Sequence, residues 1–185
     1  MSVVVVTPPE PDIDLDLVKA HLRVDHADDD VLIQAFIDAA CGHIDGPAGW
    51  LGRSIWAQTL ELRQDGLCGR VRLPYGPVTA ITTVKTVDTN GVEQTMSSSD
   101  YLLTNGGDLV LAHGASWPSV RGDTEGVRIR YAAGFAALPG AILSAVLLMV
   151  GDLYSNRETV GEVTGAIQMS TTVANLLSPF RNWRV

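Results

Sequence analysis

The chain has 185 residues, 46 % hydrophobic and 18 % charged, enough to bury a core without disulfide staples. Its formal net charge of −8 argues against a non-specific binder of DNA or anionic membranes, which would present a basic face. Two cysteines, Cys41 in an apolar helical run and Cys68 in the Gly66-Leu67-Cys68-Gly69 turn, form no CxxC or Cys/His metal spacing and read as free thiols of a reducing compartment.

Met1 to Val6 is apolar but short, has no basic n-region and runs into Thr7-Pro8-Pro9, so it does not read as a signal peptide. The first predicted element is a short helix carrying Leu17, Val18, His21 and Leu22, with Asp12, Asp14 or Asp16 as its cap. Asp28, Asp29 and Asp30 then favour the positive end of a second helix. That helix carries Val31, Leu32, Ala35, Phe36, Ala39 and Ala40 at helical spacing and stops near Gly46-Pro47.

The middle of the chain reads as β-structure. Ile55 to Leu62 is a strand, Gly66 to Gly69 a turn, and Val71 to Leu73 a short strand stopped by Pro74. Val78 to Val87 is rich in β-branched residues and meets the hairpin signal Asn90-Gly91, with Val92 to Met96 as the return strand. Tyr101 to Leu103, Leu109 to Leu111 and Val127 to Tyr131 complete a small antiparallel sheet or sandwich. Pro139 then opens a helix with Ile142, Val146, Met149, Val150 and Leu153 on one broad face, expected to be buried on most sides and to end near Asn156-Arg157-Glu158. Its best apolar run, Ile142 to Val150, is too short to span a bilayer, and the protein is expected to be cytoplasmic when made. Gly161 to Ser170 has a flexible composition, Val173 to Leu177 is a further helical turn, and Ser178-Pro179 stops it.

The expected fold class is α+β: a bundle of a few helices (residues 12–50 and 139–177) with an inserted antiparallel β-rich part (55–135) and an extended C-terminal tail (178–185).

Chemistry is hard to find. His21, His26, His43 and His113 lie in no HExxH or HxH pattern and read as helix-flank or surface residues. The Asp25 to Asp30 cluster lacks the central glycine and terminal glutamate of an EF-hand and reads as a solvated helix cap. Asn105-Gly106-Gly107 reads as a hairpin turn, and no phosphate loop or GxSxG elbow is present. No cofactor, metal or catalytic residue is expected. The C-terminal segment is more telling, because Phe180 and Trp183 sit among Arg181 and Arg184, residue types enriched at interface hot spots. Folding back of Phe180 and Trp183 onto the protein's own core is the alternative.

An ordered set of short motifs resembles one family. Val18-Lys19-Ala20-His21-Leu22-Arg23-Val24-Asp25 with Asp28 to Asp30 resembles its LKxHLRVD–DD opening, with Val18 for leucine. Leu73-Pro74-Tyr75-Gly76-Pro77-Val78, then Ile81, Val84, Asp88 and Gly91, is similar to its LPxxPV–I–V–D–G core, continued by Tyr101-Leu102 and Trp117-Pro118. Val127-Arg128-Ile129-Arg130-Tyr131-Ala132-Ala133-Gly134-Phe135 resembles its strand ending in YxAGY, with Phe135 for tyrosine. Pro139, Ile142, Ala145 and Tyr154 to Glu158 match its long helix with a Y–R ending, and Leu177-Ser178-Pro179-Phe180-Arg181 its closing L-x-P-[YF]-R. The family is the head–tail connector, or adaptor, group of long-tailed phages and gene transfer agents, and the motifs span nearly the whole chain in order.

The resemblance implies a structural virion protein at the head–tail neck, assembled in the bacterial cytoplasm. Such adaptors form a ring, usually a dodecamer, below the portal, each subunit meeting the next head to tail, with a head-closure or stopper protein on the tail side. Phe180, Arg181, Trp183 and Arg184 would contact the portal. DNA would pass through without specific binding, and Asp28, Asp29 and Asp30 would line a repulsive channel wall unless they form an ordinary solvated face. Two rival readings are another neck protein (head-closure or tail-completion) and a small enzyme with an unrecognised site.

Overall fold

The computed structural model describes residues 1–122, 125–157 and 169–183. Among them are four α-helices and eight strands in two antiparallel sheets, an α+β fold. They divide into two compact units: a β-rich one of Met1–Glu10 and Arg53–Ala136, and a helical one of Pro11–Gly52 and the chain from Ala137 onward.

In the β-rich unit a five-stranded sheet has the order β1 (Ser2–Thr7), β2 (Gln58–Gln64), β8 (Val127–Ala133), β4 (Val78–Val87), β5 (Glu93–Thr95). A second sheet has the order β3 (Val71–Arg72), β7 (Asp108–Leu111), β6 (Tyr101–Leu103). Strict alternation builds the core: β8 buries Val127, Ile129, Tyr131 and Ala133 and exposes Arg128 and Arg130 between them. These join Leu60, Leu62, Val84, Val71, Leu73, Tyr101 and Leu109 in one apolar cluster. The Tyr131 hydroxyl donates to the Pro74 carbonyl at 2.9 Å, so the buried phenol keeps a partner, and burial holds it above the ordinary phenol range.

The turns behave as their residues dictate. Asp88 accepts from the Asn90 and Val92 N–H groups at 2.8 and 3.0 Å while Gly91 takes φ +82°, closing the β4–β5 hairpin. Asn105-Gly106-Gly107 joins β6 to β7, with Gly107 at φ +82°.

One element goes beyond the sequence reading and one expectation needs correction here. The N-terminal apolar run is a strand, β1, paired with β2 from Ser2↔Arg63 to Thr7↔Thr59. The strand expected over Ile55 to Leu62 begins only at Gln58. Before that, Ile55 lends its carbonyl to the Phe135 N–H at 2.9 Å, and the Ser54 N–H is taken by the Tyr75 carbonyl at 2.9 Å, so loop contacts replace the ladder.

The helical unit contains α1 (Leu15–Leu22), α2 (Asp30–Ile44), α3 (Gly140–Ser155) and α4 (Thr171–Leu177). Asp14 caps α1 by accepting from the Asp16 N–H at 3.0 Å, and Arg23 closes it in the left-handed conformation. Ser170 caps α4 through the Val173 N–H at 3.3 Å. Val18, Ile33, Ile37, Ile44, Ile142, Ala145, Val146, Val150, Val173 and Leu177 are buried. Cys41 is buried among helices, which pushes its thiol up to about 12; Cys68 is exposed, and both are free.

α3 is not buried on most sides. Leu143, Leu147, Leu148 and Met149 are half-buried, and Ser144, Asp152 and Leu153 are exposed. At its C-terminal end, Met149, Asp152 and Leu153 face Ala39, Ala40 and His43 of α2 and the start of α4 across a cavity of about 320 Å³. No described helix is long and apolar enough to cross a membrane. The flexible composition read at Gly161 to Ser170 falls outside the described residues except for Met169 and Ser170.

Candidate functional site

The chain end after α4 does not run free. Ser178–Phe180 forms a 3-10 turn with Pro179 in it, and the Asn182 N–H donates to the Leu51 carbonyl at 2.8 Å. The described part of the segment expected to be extended is therefore held by its own helical unit. Leu177 is buried and anchors the turn.

Arg181 is the centre of this arrangement. Its guanidinium lies over two indoles, 4.2 Å from the ring centroid of Trp50 and 4.2 Å from that of Trp183. A planar delocalised cation clamped by two indoles makes a double cation–π contact, which lysine would reproduce poorly. Trp50 follows the Gly46-Pro47-Ala48-Gly49 stretch after α2, and its N–H donates to the His43 carbonyl at 2.9 Å. Gly49 is required there, since a Cβ would sit 2.2 Å from the Asp45 carbonyl oxygen.

The four residues singled out at the C-terminus thus differ in their surroundings. Phe180 and Arg181 are half-buried within the helical unit. Trp183 has one face on Arg181 and remains 73 % exposed. Arg184 lies outside the described residues. Trp50 escaped the sequence reading; an aromatic after a glycine-rich helix stop was the only local signal.

The three consecutive aspartates also divide. Asp30 pairs with Lys19 of α1 at 2.6 Å. Asp29 accepts from the Tyr154 hydroxyl at 2.5 Å and from Arg157 at 2.9 Å, and Arg157 stacks on the Tyr154 ring at 4.3 Å. The Tyr154 hydrogen bond, followed by that of Arg157, holds the Asp29 carboxyl below the usual carboxylate range. The Asp28 side chain is 94 % exposed, with the His26 ring 3.9 Å away. Two of the three carboxylates therefore tie α1 to α2 and α2 to the end of α3.

Among the described residues no cluster of three or more His, Cys, Asp or Glu side chains could hold a metal ion. The histidines do not converge: His21 and His43 belong to α1 and α2, and His26 and His113 to loops. Among the described residues the arrangement offers surfaces and a tethered C-terminal segment.

Residues 12–105 match the phage gp6-like head–tail connector protein family. None of the curated proteins matches the chain. Among solved structures, a chain in the virion of a native gene transfer agent particle is similar at 25 % identity and TM-score 0.76, over 100 % of this chain and 97 % of that one. A chain in the neck of an empty gene transfer agent particle with C6 symmetry gives 25 % identity and TM-score 0.72 over the same shares. A chain in the neck of a native particle with C12 symmetry gives 25 % identity and TM-score 0.65 over 97 % of both chains. The match spans just over half of the sequence, and the chain belongs to the phage gp6-like head–tail connector family.

Proposed function

We propose that this chain is the adaptor subunit of a ring, usually twelve copies in this family, that sits below the portal, extends the DNA channel and joins capsid to tail. That it is a structural protein of the virion neck follows from its family and from its likeness to neck chains. The observation that carries the finer reading is the end-to-end likeness to a neck chain of twelvefold symmetry, 97 % of each chain, which leaves no large part of the fold for another task. We assign it no catalytic role.

Within this reading Trp183 is the portal anchor. It is a large exposed aromatic (73 %) held in place by Arg181, and a pre-ordered side chain loses less entropy on docking than a free one. Phe180 and Arg181 support it from within the unit, and Arg184, the next residue in sequence, is proposed as a further contact. The channel wall is reduced to Asp28, because Asp29 and Asp30 already face cations of their own subunit. A head-closure or stopper protein would meet the tail side of the ring, and DNA would slide past without specific contacts.

The test is native mass of the protein mixed with portal rings from the same source, comparing full-length chains, Trp183→Ala and a chain ending at Leu177. Full-length chains are expected to load as a complete ring, and Trp183→Ala and the truncation to load poorly. Complete loading by both altered chains would move the docking surface elsewhere. Failure of the full-length chain to bind would remove the adaptor reading.

A further inference from the structure

The outward face of the five-stranded sheet carries an arrangement that the fold itself does not need. Arg63 of β2 stands directly opposite Arg128 of β8, and Arg128 directly opposite Lys85 of β4. Three cations thus form one row across three adjacent strands, about 4.8 Å from strand to strand. Like charges directly opposite each other on a sheet repel. Glu125 and Glu93 reach the two ends of the row, at 3.4 Å from Arg63, 2.6 Å from Lys85 and 3.5 Å from Arg128. In the next row Arg130 and Arg63 close over Glu61, whose carboxylate is buried and holds the guanidinium groups against the sheet. The face therefore presents ordered cations, with Arg128 and Arg130 both exposed.

The rest of the charge lies elsewhere. The helical unit carries twelve Asp and Glu against five Lys and Arg, whereas the β-rich unit is close to balance, with nine against eight. Seven of the twelve acids lie between Asp12 and Asp30, and at the start of that stretch Asp12, Asp14 and Asp16 are exposed at every second position while Ile13 and Leu15 between them are half-buried. Asp14 is occupied as the cap of α1, which leaves Asp12 and Asp16 as outward carboxylates, and on the sheet Lys85 and Arg128 share the single carboxylate of Glu93, so two acids face a pair of cations with one charge uncompensated.

We propose that the outward sheet face, centred on Arg128 and Lys85, receives the acidic Asp12–Asp16 segment of a second copy of this chain. A closed ring needs two different patches on each subunit, and opposite charge gives such a pair both register and direction. The proposal rests on the ring reading above.

Charge reversal tests it, with native mass on portal rings as the readout and thermal melts to verify folding. Arg63 and Arg130 stay untouched because they serve Glu61. Lys85→Glu with Arg128→Glu, and separately Asp12→Lys with Asp16→Lys, are each expected to abolish complete rings, and all four together to restore them. The neutral pair Lys85→Gln with Arg128→Gln guards against misfolding; its rings are expected to be weaker and to lose the salt sensitivity of the wild type. Complete rings in either reversed pair, or no recovery when folded chains carry all four changes, would overturn the proposal. Complete reversed rings with altered DNA retention in assembled particles would overturn it in favour of a face turned to DNA. If wild-type chains form no ring on portal, the adaptor reading falls first, an outcome visible before any variant is compared.

Discussion

Replacing Arg181 by alanine separates the tail from the helical unit without touching the apolar core. The side chain makes two cation–π contacts at 4.2 Å, one to Trp50 and one to Trp183. At about 0.5–1 kcal/mol each for half-exposed sites, their loss is worth about 1–2 kcal/mol. That free energy shifts the equilibrium between docked and released tail by about 5–30-fold. The reporter is the Asn182 amide, whose bond to the Leu51 carbonyl at 2.8 Å exists only while the tail is docked. Its hydrogen exchange is expected to accelerate by that same 5–30-fold in Arg181→Ala, while amides of β2 and β8 are unchanged. Arg181→Lys is expected to fall close to alanine, because an ammonium keeps the charge but cannot lie flat against two rings. Unchanged exchange at Asn182 in Arg181→Ala would refute the double cation–π contact as the tail's tether. It would also withdraw the argument that Trp183 meets its partner pre-ordered.

Gly134→Ala is expected to destabilise the protein by about 2–4 kcal/mol, since φ is +138° and a Cβ would stand 2.7 Å from the Trp56 carbonyl oxygen. A melt lowered by about 5–15 °C would show it, and an unchanged melt would refute the close approach. For Glu61, burial pushes the carboxyl up, but the hydrogen bonds from Arg130 and Arg63 outweigh it, so it ionises below its ordinary value of 4.5. A depressed carboxyl contributes stability above the unfolded value, and that contribution is lost as pH falls through the folded one. Urea midpoints between pH 6 and pH 3 are therefore expected to fall less steeply in Glu61→Gln than in the wild type, and parallel curves would contradict this. Asp29→Ala removes the acceptor that holds the Tyr154 phenol above its ordinary range, so that phenol is expected to ionise at lower pH, as read by NMR titration of its ring.

What could be read locally was read well. The β-branched run Val78–Val87 and the Asn90-Gly91 turn carry their own geometry, and strand and hairpin stand where they point. β1 was missed because a run of four valines has no alternation to reveal a face, and its ladder partner Arg63 lies far along the chain. The Asp28 to Asp30 cluster was read correctly as the start of a helix. Yet the roles of Asp29 and Asp30 depend on Tyr154, Arg157 and Lys19, which local pattern cannot supply. One clue was present: Tyr154 and Arg157, three apart on a helical stretch, share a side and can converge on one carboxylate.

The same residues explain why the motifs point to the family more firmly than to the docking surface. Lys19, Asp29, Asp30, Tyr154 and Arg157 belong to the recurring opening and helix-ending motifs, and all five are spent on contacts inside the helical unit. Leu177 and Arg181 of the closing motif are likewise a core residue and a clamp. Trp183, the exposed aromatic, lies two residues beyond that motif. Asp12, Asp16 and Lys85 lie outside the motif positions as well. Motif residues in this fold shape the subunit, and the surfaces that would select partners sit beside them. Substitutions inside the motifs should therefore lower stability first, whereas Trp183→Ala and the neutral changes at Lys85 and Arg128 should leave the melt nearly unchanged and alter assembly.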